Sequence, residues 1–195
     1  KEAINNKTFK KLNPSNGEII TDVVRSDSTD IDLAVKASLS AQKKWALVPP
    51  VQRGLVLYDI INLMIKRKEE IATIVHLETG KSMSDALGET GAAIECGLFY
   101  AGEGQRLYAR TTTSGVVNKF ASTIRQPVGI AGLIIAANTP IANIAWKVFP
   151  ALICGNAAIL KAAEDTPITA WIFGKIANEA GLPNGVLNII QGYGE

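Results

Sequence analysis

The chain of 195 residues carries 20 Lys and Arg against 18 Asp and Glu, a net charge of 20 − 18 = +2, with 47% hydrophobic, 6% aromatic and 19% charged residues. A chain of this size buries roughly 70% of the surface its unfolded form exposes, so it supports a core of one or two domains, and disorder and collagen-like repeats are excluded. The near-neutral balance gives no electrostatic case for nucleic acid, since the one basic run, Lys66-Arg67-Lys68, meets Glu69 and Glu70 at once and reads as a solvated helix face.

Residues 8–25 hold two short extended stretches around Asn13-Pro14-Ser15-Asn16-Gly17, whose Asn-Gly step favours positive φ, and a hairpin is expected. Thr29 with Asp32 forms a capping box for an amphipathic helix to about Trp45. Pro49-Pro50 separates it from a second helix with Val51, Leu55, Tyr58 and Ile65 at helical spacing, and a third and fourth helix follow to about Tyr108. Residues 111–125, rich in Thr and Val with partial alternation, read as one or two strands leaving the main body. No internal repeat is visible.

From residue 128 the pattern becomes strand, helix, strand, helix, strand, at 128–136, 141–153, 157–160, 168–180 and 186–190. The apolar run at 128–137 is well short of the roughly 18 residues of a membrane span, so no membrane partner is expected. Thr139-Pro140 and Thr166-Pro167 each set an N-cap residue before a proline at the first helical position, and Gly181 suits the end of the second helix. Near-continuous apolar strands joined by crossovers imply a parallel sheet covered on both faces. The chain opens at Lys1 rather than Met and stops at Gly192-Tyr193-Gly194-Glu195, where a Gly-x-Gly after a strand should open a further helix, so a fragment is expected. Cys96 and Cys154 have neither a disulfide framework nor metal spacing, and no secretory signal is visible, which makes the cytoplasm the expected location.

Parallel geometry gathers Asn138, Lys161, Glu164, Gly192 and Gly194 at the carboxyl edge of the sheet, where open α/β sheets bind ligands, with an acidic residue on a ribose hydroxyl and glycines beside a pyrophosphate. Singly, Glu164 also fits a solvated loop charge, Asn138 a turn residue and Gly194 plain flexibility; their convergence favours a site. Gly80-Lys81-Ser82 copies the end of a phosphate-binding loop, but Val75 stands where that motif needs Gly, and the segment follows a helix rather than a strand. His76, in a helical run without a visible partner, reads as a core or boundary residue, and Cys154, in an apolar segment with no neighbouring cation, as a buried structural thiol. Lys147, four residues after Asn143 and on one face with Thr139 and Pro150, fits a functional ammonium or a snorkelling side chain.

Leu133 to Pro140, Ala145-Trp146-Lys147, Leu160 to Pro167 and Gly181 to Asn188 resemble the aldehyde dehydrogenase superfamily in register, and Glu78-Thr79-Gly80-Lys81 matches its earlier Glu-Thr-Gly-Lys. The resemblance covers essentially the whole chain. It implies an α/β fold: the N-terminal part of an aldehyde dehydrogenase, with a hairpin and helices of the cofactor domain at 1–110, an oligomerisation-type strand excursion at 111–127, and the first half of a Rossmann-like βαβαβ sheet at 128–195. It implies NAD-dependent oxidation of an aldehyde through a thiohemiacetal, with NADP less favoured, the catalytic Cys and general-base Glu lying beyond residue 195, and a homo-oligomer when full length. Residue by residue, Asn138 matches the family's oxyanion-binding Asn, and Lys147 a lysine of its proton relay. Lys161 and Glu164 match ribose contacts, and Gly194 with the backbone of Ile134, Ile135 and Ala136 matches cofactor contacts. Trp146 matches a wall of the aldehyde pocket. Ala137 and Thr139 depart from the Trp and Phe that flank the Asn in many members, so Thr139 and Asn143 imply a wider, more polar aldehyde entrance; the alternative is that both hydrate a surface turn or bond to backbone. The rival class is a non-catalytic nucleotide-binding protein or a related NAD(P)-dependent semialdehyde or acyl-phosphate reductase.

Overall fold

In the computed structural model, which describes residues 3–194, the turn at 13–17 closes an antiparallel hairpin of β1 (Thr8–Leu12) and β2 (Ile19–Val24), with Gly17 at φ +74 supplying the left-handed step. Lys1, Glu2 and Glu195, which bound the first and last expected segments, lie outside the described residues. The capping box of α1 (Ser28–Leu47) falls two residues earlier than expected. Asp27 accepts from Thr29 N at 2.9 Å and Asp30 accepts from Asp27 N at 3.1 Å, because an aspartate two residues upstream already satisfies the first turn and draws Thr29 into the helix.

The next three helices are α2 (Pro50–Lys66), α3 (Lys68–Thr79) and α4 (Met83–Glu103), the last ending short of Tyr108. The spacing of Val51, Leu55, Tyr58 and Ile65 marks the correct helix but the outer face: Val51, Leu55 and Ile65 are exposed, while Leu57, Ile60, Ile61 and Met64 are fully buried. Both stripes are apolar, so periodicity alone does not choose between them. The buried stripe packs with Ile71 and Val75 of α3 and with Phe149. Gly97 permits this contact, since a Cβ there would lie 2.8 Å from Phe149 Cε2 and 2.9 Å from Ile61 Cγ1.

The excursion is a short antiparallel pair, β3 (Thr111–Thr113) with β4 (Phe120–Ser122), and it is open to solvent, with Phe120 96% exposed. The body then continues through β5 (Ile130–Ile134), α5 (Pro140–Ile153), β6 (Ala157–Lys161), α6 (Pro167–Glu179) and β7 (Leu187–Ile190), a parallel sheet in the order β5-β6-β7. Successive residues of β7 show the layering. Asn188 Nδ2 donates to Ser38 Oγ of α1 at 2.9 Å, while Ile189 reaches so near Gly174 of α6 that a Cβ there would be 2.5 Å away. Helix α1 thus covers one face, and α5 and α6, carried there by crossovers of one hand, cover the other. Both faces of central β6 are closed, as expected, but β5 is shorter than the apolar run and half open, and Val128 is exposed. Among the described residues, no helix is long and apolar enough to cross a membrane. Gly181, at φ +85 just past α6, ends that helix as read from the sequence.

Candidate active site

In-register pairing of Ile134 with Lys161 and of Lys161 with Ile190 brings the three strand ends level, so the segments that follow them share one edge. The connection after β5 carries buried Ile135, then exposed Ala136 and exposed Asn138. Among the described residues the Asn138 side-chain amide has no hydrogen-bond partner; only its backbone carbonyl is engaged. The connection after β6 carries Glu164, whose Oε2 lies 3.3 Å from Lys161 Nζ. Glu164's own backbone N–H, and then Lys161, hold its carboxyl below the usual carboxylate range. Gly194 follows β7 and is exposed.

On α5, Lys147 Nζ donates to the carbonyl of Ile134, which ties the helix to the end of β5 and satisfies the ammonium in place of free snorkelling. Trp146 beside it is exposed. Asn143 Nδ2 donates to both Thr139 O and Thr139 Oγ1 at 3.0 Å, so half of that amide is committed to the helix start and the Thr139 hydroxyl hydrogen stays available. A cleft of about 780 Å³ lies beside this edge, between β2 and the start of α6, lined by Thr21, Val23, Pro167, Trp171 and Gln191; none of the expected site residues lines it.

Thr139 and Thr166 occupy the N-cap positions but neither side chain caps its helix. Each helix is capped instead by a buried glutamate from another element. Glu89 of α4 accepts from Ile141 N at 2.9 Å and Ala142 N at 3.3 Å, both through Oε1. Glu78 of α3 accepts from Ile168 N at 2.6 Å, Thr169 N at 2.7 Å and Thr169 Oγ1 at 2.7 Å. A carboxylate reaches two orphan N–H groups and meets the positive end of the helix, more than a threonine hydroxyl offers. Burial nonetheless pushes the Glu78 carboxyl above its ordinary 4.5, against the pull of these donors and of Lys11, whose Nζ donates to Glu78 O at 3.0 Å.

Both glutamates sit on apolar helical stripes, Glu78 with Ile71 and Val75, and Glu89 with Ala86 and Ala93; a carboxylate on such a stripe is the signal that finds them. The other half of Glu-Thr-Gly-Lys is equally committed. Gly80, at φ +72, closes α3, and Lys81 Nζ bonds Glu89 Oε2 and, at 2.9 Å, Asn138 O. His76, read as partnerless, has its Nδ1 2.6 Å from Lys81 O, to which it donates. Cys154 reverses its expectation: it is exposed, because it is the residue that ends α5 and its side chain leaves the packed stripe, and the cation near it is buried Arg53. Arg53 Nε donates to Ile153 O at 2.9 Å and Nη1 to Val48 O at 2.6 Å, and Trp45 Nε1 donates to Leu152 O at 3.0 Å, so α5 is held at its far end too.

The unpaired amide and the Lys/Glu pair stand at the carboxyl edge of a parallel α/β sheet, the place where open sheets of this class carry ligand sites. Residues 2–195 match the aldehyde dehydrogenase family, and the chain belongs to it. It is 39% identical to aldehyde dehydrogenase family 2 member B4, mitochondrial, of Arabidopsis thaliana, over 99% of this chain and 36% of that protein. Among solved structures, it superposes with a TM-score of 0.97 on an E. coli NADP dependent enzyme, at 31% identity over 100% of this chain and 40% of the other. It superposes with the same score on PnpE in complex with nicotinamide adenine dinucleotide, at 27% identity over 100% and 40%. The chain thus spans about two-fifths of the length of the relatives it matches.

Proposed function

We propose that this chain is the cofactor-binding N-terminal part of an enzyme that oxidises an aldehyde to a carboxylic acid with NAD, the thiol nucleophile and general base coming from parts of the protein outside these 195 residues. The observation that carries the reading is the Asn138 amide, which among the described residues has no partner, on the connection that leaves a parallel strand, with its backbone carbonyl held by Lys81. Its Nδ2 donates to the oxygen of the tetrahedral adduct, where charge develops as the aldehyde carbon is attacked.

The edge fits the cofactor: ionised Glu164 accepts from ribose hydroxyls, the Lys161 ammonium beside it donates to the same ribose, and exposed Gly194 with the backbone at 134–136 leaves room for close approach. When bound, the nicotinamide supplies the hydride acceptor. Lys147, anchored on Ile134 O, is assigned to moving a proton at its Nζ, and exposed Trp146 with Thr139 and Asn143 to the aldehyde entrance. The solvent-open β3–β4 pair is the element assigned to association with further copies of the chain.

In the full-length protein, NADH formation with aldehydes is expected, and Asn138→Ala should lower kcat by about 10²–10³ while leaving the Kd for NAD unchanged. A change confined to the cofactor Kd would make Asn138 a turn residue and sink the reading.

A further inference from the structure

We propose that Lys81 and Glu89 are positioning residues that aim the Asn138 amide; the proposal rests on the reading of Asn138 as the oxyanion donor. The segment 135–139 has no glycine turn of its own and leaves Ala136 and Asn138 exposed, so its conformation depends on what grips it from outside. Glu89 divides its carboxylate between two tasks: Oε1 takes the first N–H groups of α5, and Oε2 pairs with Lys81. Lys81 then spends a second N–H on Asn138 O at 2.9 Å. The result is a closed bracket running from Asn138 O through Lys81 and Glu89 to Ile141 N. It fixes the peptide plane that follows Asn138, and with it the direction of the side chain.

Helix α6 shows what starting such a helix requires. It begins with the same Thr-Pro-Ile, and Glu78 alone takes its first N–H groups; among the described residues no lysine hydrogen-bonds to that carboxylate, Lys11 sitting instead on the Glu78 backbone carbonyl, and no side chain bonds the carbonyl of Asp165. Lys81 is therefore surplus to helix initiation, and its additional contact falls on the one backbone carbonyl that belongs to the proposed donor. The pair is also withdrawn from solvent, with side chains only 18% and 6% exposed for Lys81 and Glu89, a placement whose desolvation cost makes it a poor device for stability alone. An ammonium held on the carbonyl also keeps that oxygen's negative end turned away from the place where the adduct's charge develops.

The test uses the full-length enzyme and five variants: Lys81→Met, Lys81→Arg, Asn138→Ala, Lys81→Met with Asn138→Ala, and Lys81→Met with Glu89→Gln. A misplacement near 1 Å costs about 10²-fold, so Lys81→Met should lower kcat by about 10- to 10²-fold, with the aldehyde KM and the Kd for NAD nearly unchanged, and Lys81→Arg should recover most of the loss. The double variant should be no slower than Asn138→Ala, because Lys81 then has nothing to aim. Lys81→Met with Glu89→Gln, which leaves no lone buried charge and keeps an acceptor for α5, should reproduce the loss if Lys81→Met alone folds poorly. A multiplicative double variant, or an unchanged kcat in the neutral pair, overturns the proposal while the Asn138 reading stands. An unchanged kcat in Asn138→Ala overturns that reading instead, and the proposal with it.

Discussion

The two strand-to-helix connections, 135–139 and 162–166, share a length and an N-cap geometry and differ in what they present, the second closing a turn from Thr166 N to Ala163 O. Each is five residues long, ends in Thr and runs into a helix that starts Pro-Ile, and Thr139 at φ −140 and ψ 70 is close to Thr166 at φ −138 and ψ 50. Each delivers its helix to a buried glutamate. After β5, however, the glutamate is shared with a lysine that continues to the backbone of Asn138, whereas after β6 the carboxylate is spent wholly on the helix, and a half-buried pair joins Lys161, the last residue of β6, to Glu164 of the connection. The difference teaches that one helix-capping design leaves its connection either tied to the cap or free of it, depending on whether the capping group has a second partner.

The largest effect that would sharpen the comparison belongs to Glu78. Glu78→Ala leaves three donors without an acceptor, a loss of about 3 kcal/mol read from the denaturation midpoint of the full-length protein, with kcat of the folded fraction unaffected. A fall in kcat comparable to that of the Lys81 variants would erase the distinction between the two connections. The charge itself is separable by pH. Because burial raises the folded carboxyl above its ordinary 4.5, the folded state holds the extra proton, so this group's contribution to stability is fully present below 4.5 and is lost as pH rises through the raised value. Glu78→Gln should remove that slope; the same slope in the variant would assign it to another group.

Next in size is the open edge after β6. On the proposed reading the Glu164 carboxylate takes a ribose hydroxyl and would face a 2′-phosphate as a like charge, so Glu164→Gln should narrow the NAD/NADP ratio of kcat/KM by about tenfold. An unchanged ratio would mean that Glu164 pairs with Lys161 without reading the ribose. The smallest effect is expected at the start of α5, where half of Asn143 is already committed to Thr139. Thr139→Phe with Asn143→Met should shift preference from hydroxy- or carboxy-substituted aldehydes toward alkyl ones by about three- to tenfold in kcat/KM. If alkyl aldehydes are already the best substrates before the change, the entrance is not polar in function.

What was legible in the sequence was what is local to it. The βαβαβ order, the hairpin turn and the level strand ends follow from apolar runs punctuated by Thr-Pro and glycine, and the position of Asn138, Lys161 and Glu164 at the carboxyl edge was legible because a residue at or just past a strand end needs no partner elsewhere to be placed. The two capping glutamates were not found as caps, since their contacts span 52 residues for Glu89 and Ile141 and 90 for Glu78 and Ile168, and the nearer threonines offered a complete local explanation. The outer face of α2 was chosen because apolar residues line both sides of that helix. Cys154 was read as buried from apolar neighbours, yet it stands where α5 stops, and a helix end can turn one residue out while Ile153 and Gly155 on either side stay in.

Helix α5 is held by charge at both ends, by Glu89 at the first turn and by Arg53 at the last carbonyls. Its 14 residues make a rod roughly 21 Å long, and a rod pinned at one end is a lever. A tilt of about 3° about the Arg53 end would carry the first turn by something on the order of 1 Å, the displacement at which aimed groups lose their effect. The corner between α1 and α2, bonded to Arg53 through Val48 O, would on the proposed reading be under a tolerance set by chemistry a full helix away. A substitution there that costs little stability would still be magnified at Asn138.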